Sequence, residues 1–126
     1  MRLQGYTLVM NSKQKGKRGE LEAAKILKDL GIGNPRRAQQ YAGVAGSSDI
    51  VGVPGLAIEV KRQERASYSH LVEWIKQASS AASGDQKPIV LHRKSRSDWL
   101  VTLKVKDLPA VAAAVVLSME QTAEQR

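Results

Sequence analysis

The run Ser48-Asp49-Ile50-Val51-Gly52-Val53-Pro54-Gly55-Leu56-Ala57-Ile58-Glu59-Val60-Lys61 constrains this chain more than any other stretch. It reads as two short apolar strands joined by a Pro-Gly turn, with Asp49 opening the first and Glu59 and Lys61 closing the second. Successive strand side chains point to opposite faces. Glu59 and Lys61 therefore share one face, about 7 Å apart at Cα, while Leu56, Ile58 and Val60 take the other face as core. Folding the strands into a hairpin returns Asp49 to the side of Glu59, so that two carboxylates and an ammonium converge at one strand end. Clustered carboxylates repel each other unless a cation lies between them, and hard divalent ions such as Mg²⁺ prefer oxygen ligands. A half-solvated surface strand would show the same alternation, with Glu59 and Lys61 as an exposed ion pair worth at most about 1 kcal/mol.

An Asp, nine intervening residues and then Glu59-Val60-Lys61 resembles the PD-(D/E)xK nuclease signature. The upstream Arg18-Gly19-Glu20 narrows the resemblance to the archaeal and phage type of Holliday junction resolvase, over roughly Lys17 to Leu108. Ser48 stands where the motif's name has proline, a position that does not touch the chemistry. The resemblance implies an α/β, restriction-endonuclease-like fold, with a central mixed β-sheet flanked by helices. It implies a Mg²⁺-dependent endodeoxyribonuclease, with Mn²⁺ as a substitute ion. Asp49 and Glu59 would hold one or two ions, with the Val60 carbonyl as an added ligand and Glu20 holding a second ion or a water on the first. Lys61 would lower the pKa of the attacking water or steady the pentavalent phosphate. A glutamine on the following helix, Gln77 here, would orient that water. A four-way junction has two symmetric scissile strands, which implies a homodimer. Either the apolar last helix or the helix around Trp74 would form its interface.

A length of 126 residues suits one domain with a modest core. Twenty Lys and Arg against 12 Asp and Glu leave a net charge of +8, which favours a polyanionic partner, nucleic acid before an anionic membrane. The lack of cysteine excludes a disulfide framework and a Cys-type zinc site, and two histidines, His70 and His92, are too few for a His-rich metal site. Aromatic residues make up 4% of the chain and Phe is missing, which argues against a base-stacking platform of the RNA-recognition kind. Neither a secretory signal nor a run of membrane-spanning length is visible. The expected location is therefore intracellular: cytoplasmic, nucleoid-associated, or in a host cytoplasm if the protein is phage-encoded.

Residues 1–16 are expected to be a flexible basic arm whose Lys13 and Lys15 contact phosphate or are merely solvated. Residues 17–119 form the nuclease domain, and 120–126 a polar tail that frays. From Lys17 to Leu30 the spacing is helical, with Ala23, Ile26, Leu27 and Leu30 on one face and Gly31 as the stop. Glu20, in the first turn, either complements the helix dipole or points at the site. Lys17 and Arg18 are candidates for phosphate, and Arg18 also for an acid. Asn34 to Ala42 reads as an edge strand, where Arg36 and Arg37 grip DNA or protect the edge by charge. Gly43 to Ser48 is a small-residue loop without a Walker-type ending; its small residues, Ser47 and Ser48 among them, would let a DNA backbone approach Asp49, or it is simply a strand connection.

Arg62 opens a charged exit from the second strand and is a further DNA candidate. A helix starts at Ser67 or Ser69 and runs to about Ala82, with Leu71, Trp74, Ile75 and Ala78 as its apolar stripe. Gln77 lies near the edge of that stripe, where an ordinary surface glutamine would also sit, and His70 reads as surface. Lys87 to Arg93 suggests a buried strand. The basic loop His92 to Ser97 puts Arg93, Lys94 and Arg96 at DNA or simply in solvent. Asp98 to Val105 is the next strand, and Asp98 is either an alternative site acid or a surface partner of its basic neighbours. Asp107 is expected to cap a last helix, with Pro109 in its first turn, ending near Met119. That helix is apolar almost all round, so it is either buried or half of a subunit interface.

Three functions are consistent with these residues. The first is a metal-dependent endonuclease resolving four-way junctions. The second is a restriction, repair or nicking nuclease on duplex or flap DNA. The third is a basic nucleic-acid-binding domain that needs no Mg²⁺.

Overall fold

The computed structural model describes the backbone of residues 2–38 and 48–125 and the side chains of 16–38 and 48–125. Ser47 lies outside the described residues, as do the side chains of Lys13 and Lys15. The elements in chain order are α1 (Arg2–Asp29), β1 (Arg36–Arg37), β2 (Ile50–Val51), β3 (Leu56–Arg62), α2 (Tyr68–Ala81), β4 (Lys87–Arg93), β5 (Leu100–Thr102), a 3₁₀ turn (Val105–Asp107) and α3 (Leu108–Glu124). The strands form one sheet in the order β1-β2-β3-β4-β5. All neighbours are antiparallel except β3 and β4. A parallel pair needs a crossover, and α2 supplies it.

The alternation in β3 decides the layering. Leu56, Ile58 and Val60 pack with Ala23, Ala24 and Leu27 of α1, Ile89 of β4 and Val111 of α3. On the other face Val90 packs with Trp74, Ile75 and Ala78 of α2. Each fully buried Leu, Ile or Val contributes about 1.5–3 kcal/mol, so these two clusters hold the helices on the sheet. The expected α/β architecture is present: a central mixed sheet, α1 and α3 on one side, α2 on the other.

Several boundaries differ from expectation. The backbone of α1 is helical from Arg2, where a flexible arm through Gly16 is expected. Leu3, Gln4, Leu8, Met10, Gln14 and the lysines near them all favour helix, and no proline interrupts them. At the other end α3 runs past Met119 to Glu124, through the segment expected to fray. Glu120, Gln121, Ala123 and Glu124 are good helix formers. The hydroxyl of Thr122 donates to the carbonyls of Ser118 (2.8 Å) and Gly33 (3.2 Å), which ties that last turn to the body. Asp107 is buried at the N-cap position but makes no capping hydrogen bond, because the preceding 3₁₀ turn already gives it helix-like angles. The edge strand is confined to Arg36 and Arg37 among the described residues, and β5 spans three residues. Ser67, not Ser69, caps α2.

Two glycines are required by the way the elements cross. Gly52, at φ +100°, sits in the β2–β3 turn, and a Cβ there would run into the backbone carbonyl of Asn34. The Asn34 N–H donates to the Gly52 carbonyl at 3.0 Å, so the turn is zipped to the segment leading into β1. Gly19 lies inside α1, where a Cβ would come within 2.5 Å of the Arg62 Cγ. Its bare backbone lets the Arg62 stem cross the helix and reach Glu22 at 2.7 Å.

Candidate active site

The β2–β3 hairpin positions the first acid. The Asp49 N–H donates to the Ile58 carbonyl at 2.9 Å, and Ile50 pairs with Ile58. Asp49 is buried, and its Oδ2 accepts the Val60 N–H at 2.8 Å. One carboxylate oxygen is thereby fixed to the backbone between Glu59 and Lys61. The Lys61 Nζ lies 3.8 Å from the Glu59 Oε2, with side chains only 22% and 13% exposed. Glu20 arrives from α1 and accepts from Arg37 Nε at 2.6 Å. Glu20, Asp49, Glu59, Val60 and Lys61 line a single cleft of about 400 Å³, together with Gly16, Arg62 and Gln63. The exposed surface ion pair that the strand pattern also allowed is not what forms, since Glu59 and Lys61 lie inside this cleft beside two more acids.

Charge is unbalanced in this cleft. The Glu59 carboxyl is pushed up to about 7, first by burial and next by Asp49, with Glu20 adding to the rise and Lys61 opposing it. Glu20 is also raised, first by burial and then by Asp49, against the hydrogen bond and charge of Arg37. Among the described residues no three acidic or histidine side chains already stand around one point as a closed metal cage. The donor chemistry nevertheless fits a hard divalent cation: carboxylate oxygens from Asp49 and Glu59, with Glu20 across the cleft in contact with Arg37.

The remaining sequence candidates separate into two groups. Arg37, Arg62 and Arg93, expected at DNA, face acids of the same chain: Arg37 meets Glu20, and Arg62 and Arg93 converge on Glu22 at 2.7 and 4.0 Å. The Arg62 side chain is only 12% exposed. Arg93 also lies over Trp99, 6.0 Å from the ring centroid. Lys17, Arg18, Arg36, Lys94 and Arg96 are exposed, and Ser48 is half-buried next to Asp49.

Gln77 requires a correction. It is exposed on α2 and does not line the cleft, because Trp74, Ile75 and Ala78 turn inward onto Val90 and leave it on the outer flank. The glutamine in the cleft is Gln63, which sequence reasoning missed. Its signal was the period-2 series Glu59, Lys61, Gln63. The Gln63 N–H donates to the Arg93 carbonyl at 3.2 Å, continuing the β3–β4 ladder one residue past the strand. Asp98 is exposed and outside the cleft.

A search of curated proteins finds no match. Among solved structures the chain is similar to Hjc, a Holliday junction resolvase from the archaeal hyperthermophile Archaeoglobus fulgidus, at 23% identity and a TM-score of 0.49, over 70% of this chain and 76% of that one. The profile of the family described as "Phage putative PDDEXK endonuclease" matches residues 11–124. That match covers nearly the whole chain, and the protein belongs to this family of PD-(D/E)xK nucleases.

Proposed function

We propose that the protein is a divalent-metal-dependent DNA endonuclease acting on branched DNA, four-way junctions first, by hydrolysing one phosphodiester in each of two symmetric strands. The observation that carries the chemistry is the gathering of Glu20, Asp49, Glu59 and Lys61 in one cleft of a chain with net charge +8. The branched substrate rests on the sequence resemblance around Arg18-Gly19-Glu20 and on a face suited to a two-fold dimer.

Hydrolysis requires a positioned water, positive charge against the growing negative charge on phosphorus, and an outlet for the alkoxide. Asp49 and Glu59, with the Val60 carbonyl and Glu20 as further donors, would hold Mg²⁺, or Mn²⁺ in its place. The bound ion supplies Lewis-acid charge and an acidified water. Lys61 donates to a non-bridging phosphate oxygen and offsets charge there. The Val60 N–H keeps the Asp49 carboxylate oriented. Gln63 replaces Gln77 as the amide that orients the attacking water. Arg37 holds Glu20 in place. The exposed Lys17, Arg18, Arg36, Lys94 and Arg96 take flanking phosphates, which makes binding salt-sensitive. Among the described residues no helix is long and apolar enough to cross a membrane. The site of action follows the substrate, DNA inside a cell.

The homodimer is assigned to the face of β5 and α3. Ile26, Leu30, Leu100, Val101, Leu108 and Val115 border an apolar hollow of about 370 Å³ there, several of them exposed. The alternative interface, the helix around Trp74, has its apolar stripe buried against the sheet.

A panel of four-way junction, flap, nicked and linear duplex DNA, each with Mg²⁺ and Mn²⁺, tests this reading. The junction should be cut fastest. Asp49→Asn should lower the rate by about 10²-fold or more while junction binding in Ca²⁺ survives. Preference for linear duplex would overturn the junction assignment, and hydrolysis of no substrate would overturn the proposed nuclease chemistry in favour of a binding domain. Sedimentation that shows only a monomer would remove the dimer.

A further inference from the structure

Aromatic and imidazole rings are scarce in this protein: two His, two Trp, three Tyr and no Phe. Both histidines nonetheless pack on the same tryptophan. His92 of β4 lies 5.6 Å from Trp74 of α2, centroid to centroid, at a tilt of 55°. His70 lies 6.1 Å from Trp74, nearly parallel to it at 17°. The fold explains the assembly. His92 is the register partner of Lys61 across the parallel β3–β4 pair, so both side chains leave the sheet on the face that α2 covers. His70 and Trp74 are four residues apart on α2 and share one helix face. The stack thus begins one strand away from the site lysine and ends at His70. His92 and Trp74 are buried and His70 is exposed.

His70 is fixed in orientation. Its Nδ1 accepts the Ser67 N–H at 3.0 Å, while its own N–H donates to the Ser67 hydroxyl at 3.3 Å, a reciprocal cap on α2. Accepting at Nδ1 leaves the ring proton on Nε2. The hollows beside the stack share a wall with the site. Gln63 lines the catalytic cleft and also two neighbouring hollows, one with Trp74 and His92 and one with Arg65, His70 and Trp74. Glu64 forms a wall common to both hollows and is braced by the Ser95 N–H (3.2 Å) and hydroxyl (2.7 Å).

We propose that this groove seats one unstacked nucleobase of the strand being cut, adjacent to the scissile phosphate, with its face on the His70 ring. Locating that phosphate rests on the nuclease reading above. Every base has a π-face, so the seat is tolerant of sequence. The ring is already stacked on Trp74 and held by the cap, so little freedom is lost on binding. The Gln63 amide offers a donor and an acceptor to the base edge, while the His70 Nε2–H, in the plane of its ring, points away from the stacked face. Arg65 stands beside the adjoining phosphate. A base at a branch point or flap is unpaired at lower cost than one inside a duplex, so the seat favours branched DNA over linear duplex.

His70→Gln separates the seat from the helix cap, since Gln serves the same capping position without a ring. The probe is branched DNA carrying 2-aminopurine at successive positions around the cut, bound in Ca²⁺. One position should respond to the wild-type protein and lose that response with His70→Gln, while His70→Phe, which keeps a ring, should retain it. In Mg²⁺, an abasic site at that position should slow the wild type about tenfold, or ~1.4 kcal/mol. It should slow His70→Gln clearly less, because that variant has already lost the ring contact and has only the Gln63 hydrogen bonds left to lose. A uniform response at all positions, or a His70→Gln protein indistinguishable from wild type, overturns the seat. Normal cleavage without a sensitive position removes the seat and leaves the nuclease intact. Hydrolysis of no DNA, with the position-specific response still present, removes the nuclease reading and keeps the seat.

Discussion

Glu59→Gln should stabilise the metal-free protein at pH 8 and, in the same molecule, reduce metal-dependent cleavage by about 10²-fold or more. The folded protein holds the Glu59 carboxyl up to about 7 against an ordinary value of 4.5. Between those values the folded state binds the proton more tightly than the unfolded chain does. Stability from this group is therefore complete below about pH 4.5 and is lost as pH rises through 7. The loss amounts to about 3 kcal/mol for a group this well shielded. Glutamine keeps the volume, does not ionise, and so avoids the loss. Urea unfolding in EDTA at pH 5 and pH 8 measures it: the wild type should weaken between the two by more than the variant, in which Glu20 is still raised but Glu59 no longer ionises. A divalent ion should then restore the wild type at pH 8 and leave the variant unchanged. Equal unfolding midpoints for both proteins in EDTA at pH 8 would show that burial, with Asp49 beside it, does not raise the Glu59 carboxyl. The expected opposition of stability and activity follows from crowding acids where a cation is to sit.

Gly52→Ala should destabilise the fold by about 3 kcal/mol. The residue has φ +100°, and the added methyl would meet the Asn34 carbonyl, which is backbone and cannot swing aside. The same turn sets Asp49 opposite the end of β3, so cleavage should fall even at low temperature, where the variant remains folded. Gly16→Ala provides the contrast. A Cβ at Gly16 meets nothing within 4 Å inside a helix, so it should be neutral or stabilising by up to about 1 kcal/mol. Thermal unfolding of both variants checks the pair, and a Gly52→Ala protein as stable as wild type would show that the turn can relax.

Asp49 and Glu59 were legible because they belong to one local pattern. Period-2 alternation and a Pro-Gly turn are enough to bring Asp49 to Glu59 and Lys61. The α2 stripe of Trp74, Ile75 and Ala78, and its role as a crossover between two strands, follow from helical spacing alone. The glutamine shows where the pattern stops being local. Gln63 obeys the same strand period as Glu59 and Lys61, whereas Gln77, which the resemblance implies, lies on a helix whose inward face is taken by apolar residues.

Local periodicity thus determined the hairpin, the order of helices and strands, and the identity of Asp49, Glu59 and Lys61 as one group. Which cations would be taken up by acids was decided only in three dimensions. Arg37 reaches Glu20 across 17 residues and Arg62 reaches Glu22 across 40, because α1 crosses the end of β3 at Gly19. The stack of His70, Trp74 and His92 likewise required the β3–β4 register and the seating of α2 on that face. A sequence period reports which way a side chain leaves its own element. What it meets there depends on the packing of elements distant along the chain, and that is set by the whole buried core.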